Sequence, residues 1–110
     1  MAKSLRLTDT VSIASSGTVS TAIQLQGNRV PVAIVTPAAL TGTTIKFQAS
    51  VDDATYVALY NGSTEYSVDV ATSRYVAINT DVFEGVRYIK LVSGSSETAS
   101  RTITIINGEL

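Results

Sequence analysis

The chain has 110 residues, 45% of them apolar, with eight basic and nine acidic side chains for a formal charge of −1. One domain with one core fits that length, burying about 65% of the surface the unfolded chain exposes. A disordered chain or a nucleic-acid surface does not fit, because apolar content is high and Lys and Arg nowhere form a run.

The first alternating stretch, Leu5-Arg6-Leu7-Thr8 and Val11-Ser12-Ile13, reads as a strand bent or bulged near Asp9. Val19, Thr21, Ile23 and Leu25 share one face of a second strand, closed by Gly27-Asn28. Val30 to Val35 is nearly all apolar, and Pro31 argues for an edge position or a strand starting after it. Between Thr36 and Gly42, Pro37 suits a first helical position and Gly42 a terminus, so a few residues of 3₁₀ structure are expected there.

Thr43 to Val51 is the clearest strand, with Ile45, Phe47, Ala49 and Val51 alternating with Lys46, Gln48 and Ser50. Asp52-Asp53-Ala54 is a turn, and Tyr56 to Tyr60 returns as the hairpin partner. Asn61-Gly62 is expected at the centre of a type I′ turn. Strands follow at Tyr66–Val70, Tyr75–Ile78, Val86–Val92 and Arg101–Ile106, with loops at 79–85 and 93–99. The second of these loops is polar, low in complexity, and expected to be mobile or draped on a partner. About eight strands without crossover helices predict an all-β, single-domain antiparallel β-sandwich, jelly-roll-like, over residues 1–110. Residues 1–4 are the candidate flexible N-terminus and 107–110 a short tail.

The residues argue mainly against catalysis. His and Cys are absent, which removes the usual proton shuttle, the commonest metal ligand and the best protein nucleophile together. Asp52 and Asp53 would point to opposite faces of extended chain, a poor acid and base pair. Asp81 and Glu84 share a loop and could reach one cation, but Ca²⁺ needs six to eight oxygen ligands and no EF-hand spacing occurs. No phosphate-cradling glycine motif is present. No enzyme activity, cofactor or metal is expected.

Two contact surfaces are candidates. Tyr56, Tyr60 and Tyr66 lie on two strands joined by the Asn61-Gly62 turn and could line one hairpin face as an aromatic contact patch; the alternative is a place at the rim of the core. Ser4, Leu5, Arg6 and Leu7 could add as a strand to a neighbour's edge, or simply begin the first strand of the sandwich. The N-terminal stretch lacks the apolar run of a signal peptide, no segment approaches the ~20 apolar residues of a membrane span, and Cys is absent. The expectation is synthesis in a reducing cytosol with no membrane partner.

Three segments carry a resemblance: Phe47 to Tyr56, Val86 to Gly94 and Arg101 to Ile106. Together they resemble the head decoration, or cement, proteins of tailed bacteriophages. The first two also resemble strands of galactose-binding-like jelly rolls. The decoration resemblance implies a β-sandwich that binds the major capsid protein on the outside of the shell and stabilises it as a homo-oligomer, a trimer before a dimer. The place would be the virion surface, after synthesis in the host cytoplasm. The competing reading is a carbohydrate- or receptor-binding module of a phage tail or fibre with the tyrosine hairpin as platform. The chain departs from such sugar binders in lacking Trp and a clear polar cluster for sugar hydroxyls.

Overall fold

The computed structural model of the chain describes residues 6–27 and 29–109. Its strands are β1 (Leu7–Ile13), β2 (Ile23–Gln24), β3 (Arg29–Val35), β4 (Thr44–Ser50), β5 (Val57–Ala58), β6 (Tyr60–Asn61), β7 (Thr64–Glu65), β8 (Ser67–Asp69), β9 (Tyr75–Ala77), β10 (Tyr88–Ser93) and β11 (Arg101–Glu109). All the pairings described are antiparallel. One sheet has the order β1-β11-β3-β9; the other runs β2-β10-β4, with β5 and β8 sharing the far edge of β4. Leaving out β5 and the small β6-β7 hairpin and renumbering the remaining strands in chain order, the sheets read 1-8-3-6 and 2-7-4-5. That order is two interleaved Greek keys, the jelly roll.

Period-two patterning decides which side chains form the core. Val11 and Ile13 of β1, Ile103 and Ile105 of β11 and Ile34 of β3 face Ile45 and Phe47 of β4 and Ile89 and Leu91 of β10, all buried. The segment 18–21 stitches the sheets along one side. Its bridges run Ile13 to Ser20 on β1 and Val19 to Val92 on β10, and Ser20 Oγ accepts the Leu91 N–H at 2.8 Å.

Several expectations are corrected. No helical turn forms between Thr36 and Gly42; the 3₁₀ turn lies at Thr80–Phe83, capped by Asn79, whose side chain accepts the Asp81 N–H. The reason is Phe83, which is fully buried and draws its loop onto the core against Phe47, ring centroids 5.0 Å apart and edge to face. Strand β3 is interior, between β11 and β9. Pro31 is tolerated because it stands at a register shift opposite Asn107 and beyond the β9 pairing, which spans Ala33 to Val35. Strand β1 pairs with β11 without a bulge at Asp9. The last strand runs through 107–109, where a tail was expected. The two-residue turn of the β6-β7 hairpin is Gly62-Ser63, not Asn61-Gly62, because Asn61 pairs with Thr64. Gly62 takes the first central position at φ +67°, the II′ arrangement.

Candidate functional site

Three surfaces and one buried cluster hold the chemistry that the fold leaves over. The buried cluster is the least expected. Glu97 is 1% exposed in the middle of the 93–99 loop. Its carboxylate accepts from Thr41 N (2.8 Å), Gly42 N (2.9 Å), Ser93 Oγ (2.7 Å) and Arg101 Nε (2.9 Å). Burial pushes its pKa up, but the Thr41 N–H, the Ser93 hydroxyl, the Arg101 guanidinium and the Gly42 N–H outweigh it, holding Glu97 at about 2 against the ordinary 4.5. The loop expected to be mobile or draped on a partner is therefore pinned at its centre. Composition hid this, because one Glu among Ser, Gly and Thr looks solvated.

The outer faces of the two sheets differ in charge. On the β4-β10 sheet, alternation turns Lys46, Lys90 and Asp69 outward, and Lys46 Nζ meets Glu65 Oε1 at 3.2 Å. On the other sheet one row across four strands is Thr8, Ile106, Ala33 and Ala77, and the next is Thr10, Thr104, Val35 and Tyr75. Ser12 and Thr102 extend it on two strands. No charged side chain stands in these rows. Strand β1 is the edge of this face; among the described residues 20–21 cover its end, where Thr21 N donates to Ser12 O at 2.9 Å.

Of the predicted N-terminal contact, Ser4 and Leu5 lie outside the described residues. Arg6 leans over Gly108, where an added Cβ would come within 3.0 Å of its Nη1. Leu7 pairs with Asn107. Arg6 thus lies at the corner of this face.

The third surface is an apolar groove of about 400 Å³ at the end of the sandwich where β4 leaves the core. Ala49 pairs with Ile89 and Val57 on the inward side, and that side continues past the cover of the other sheet into Val51, 74% exposed, and Val57, 63% exposed. Leu59 and Val86 complete the walls, with Ser50, Asp52 and Thr55 at the margin. Asp52 is a turn residue, as expected: its Oδ1 accepts from Ala54 N, Thr55 N and Ser50 Oγ. The Thr55 N–H, the Ala54 N–H and the Ser50 hydroxyl hold it at about 2. Asp53 adopts φ +60° in the same turn and accepts a hydrogen bond from the Tyr56 hydroxyl.

The three tyrosines do not share a face. Tyr66 turns inward against Phe47 and Phe83 (5.6 and 5.7 Å), and its hydroxyl accepts the Asn79 N–H at 2.9 Å. Tyr66 N bonds Leu59 O, and the neighbouring pair Tyr60–Glu65 faces the other way, leaving Tyr60 55% exposed. Tyr56 lies under Lys90, Nζ 4.3 Å from the ring centroid. Desolvation and the bond to Asp53 push its hydroxyl up to about 12. Asp81 and Glu84 are both exposed, and among the described residues no group of three or more acidic side chains could hold a metal ion.

Fold and surfaces together define a single jelly-roll sandwich whose buried Glu97 carboxylate is satisfied within the fold and which exposes the large apolar side chains Val51, Val57, Tyr60 and Tyr75. Neither a family model nor a curated protein sequence matches the chain. Among solved structures, that of the SPBc2 prophage-derived protein YomS is similar, with TM-score 0.57 at 15% identity over 96% of each chain. That of the Yersinia pseudotuberculosis-derived mitogen aligns with TM-score 0.44 at 14% identity, covering 97% of this chain and 87% of that one. The first likeness is one of fold, over nearly the whole length of both proteins.

Proposed function

We propose that the protein is a non-enzymatic structural component of a phage particle that binds the outside of the capsid and stabilises the shell. The observation that carries the reading is the outer face of the β1-β11-β3-β9 sheet, uncharged through its central rows and bordered by Arg6 at one corner. Charged side chains are depleted at the centres of protein interfaces, and a four-stranded, hydroxyl-and-aliphatic face bounded by an edge strand suits a broad contact. The fold it shares with a prophage-derived protein supports a phage origin. The mechanism is mechanical: each copy spans neighbouring subunits of the major capsid protein, so separating them also breaks its contacts, and many weak copies act together. Arg6, at the corner of this face over Gly108, extends the same contact.

The test is to mix the protein with phage capsids assembled without it and pellet them. Wild type co-sediments to a fixed stoichiometry, and Thr104→Lys, which plants a charge in the middle of the uncharged face, stays in the supernatant. Wild type remaining in solution, or Thr104→Lys pelleting equally, would count against the reading.

A further inference from the structure

We propose that the protein assembles head to tail, with Tyr60 of one copy seated in the Val51–Val57–Leu59–Val86 groove of the next. The inference deepens the virion reading by naming how copies contact each other, and it stands on a different surface from the capsid contact. A concave groove cannot close on its own image, so in a contact between copies its complement is a projecting side chain. The β6-β7 hairpin stands outside both main sheets and carries Tyr60, 55% exposed, at its base.

The chemistry of knob and hole agrees. The groove is apolar along its walls, with Ser50, Asp52 and Thr55 at its margin. A phenol entering ring first buries its apolar body and keeps its hydroxyl within reach of those oxygens. Leu59 lines the groove while Tyr60, the next residue, points to the opposite face. Knob and hole on opposite faces of one strand segment make a heterologous contact, which closes into a ring if the rotation allows, and not a two-fold dimer.

Size points the same way. Val51 and Val57 of the hole and Tyr60 of the knob are 74%, 63% and 55% exposed, on two separate faces of each copy. One such contact falls below the about 1,200 Å² total of a stable pair. A ring gives every copy two of them, and linked contacts multiply.

The experiment is solution mass by light scattering. Wild type should give a closed oligomer that dissociates on dilution. Tyr60→Ser, which keeps the groove, and Val57→Lys, which keeps the knob, should each give monomers with unchanged thermal melts, since both side chains are exposed. Mixed, the two variants have one working contact between them, too small to hold a stable pair, and should stay far below the wild-type mass. A monomeric wild type, or either variant or their mixture retaining the wild-type mass, would overturn the proposal. Thr104→Lys, which tests the capsid face, should leave the mass unchanged, so the two readings fail separately.

Discussion

Glu97 and Arg101, four residues apart, meet at 2.9 Å, the carboxylate side chain fully buried and the arginine side chain 13% exposed. The same carboxylate reaches back 56 residues to Thr41, closing the end of the sandwich opposite the groove. Its pKa lies below the unfolded value, so it stabilises the fold above pH 4.5, and that contribution is lost as pH falls toward about 2. Glu97→Gln should cost about 3 kcal/mol at neutral pH, as breaking a buried pair does. The gap to wild type should narrow between pH 4.5 and 2. Asp52 is held down in the same window, so the variant's profile flattens without becoming level. Urea midpoints across pH measure this; a gap independent of pH would refute the assignment.

Gly42 supports that cluster by having no side chain. A Cβ there would overlap the Ser93 hydroxyl oxygen and come within 3.2 Å of Gly94 N. Gly42→Ala should therefore destabilise by about 1–3 kcal/mol through overpacking, although alanine ordinarily improves on glycine in extended chain. If Ser93 relaxes away without cost, the denaturation midpoint will not move.

The strands were legible because one face is buried and the period is two: β4, β10 and β11 all show it. Turn residues placed the hairpins, but not the register of the Gly62-Ser63 turn, which depends on which residues pair across it. What escaped was set by contacts distant in sequence. Pro31 marked an edge by local chemistry, yet a bulge opposite Asn107 lets β3 run through the sheet interior. Glu97 sat in a polar loop whose partners are 4 to 56 residues away. The uncharged face was half visible, since Thr8, Thr10, Ser12, Thr102 and Thr104 alternate in sequence, but that they form one surface is a property of the β1-β11 pairing.

Two tyrosines that sequence grouped together should respond oppositely. Tyr66 packs on Phe47 and Phe83 beside the core, so Tyr66→Ala should cost about 3–5 kcal/mol. Tyr66→Phe, losing only the bond from the exposed Asn79 N–H, should cost about 1 kcal/mol or less. Tyr60→Ala, on the outer face, should stay within about 0.5 kcal/mol when measured under dilute, monomeric conditions. Equal losses at the two positions would mean that Tyr60 is packed within its own chain.

Asp9 and Asn107 form a polar pair on the inward side of the β1-β11 ladder, Nδ2 donating to Oδ2 at 2.6 Å, with Asn107 1% exposed. Asp9→Val strands a buried amide and should cost about 1–3 kcal/mol, whereas replacing both partners with apolar groups of similar shape is close to neutral. Asp9→Val with Asn107→Leu should thus recover most of the loss, a coupling that a double-mutant cycle in urea reads directly. Additive losses would show that the two residues act independently. The same charge has a second use: an inward-pointing carboxylate on an edge strand discourages pairing with another chain's edge. The double variant should therefore be nearly as stable as wild type yet scatter more light as concentration rises, and adding Tyr60→Ser should not suppress that scattering, because it arises at β1 and not at the groove.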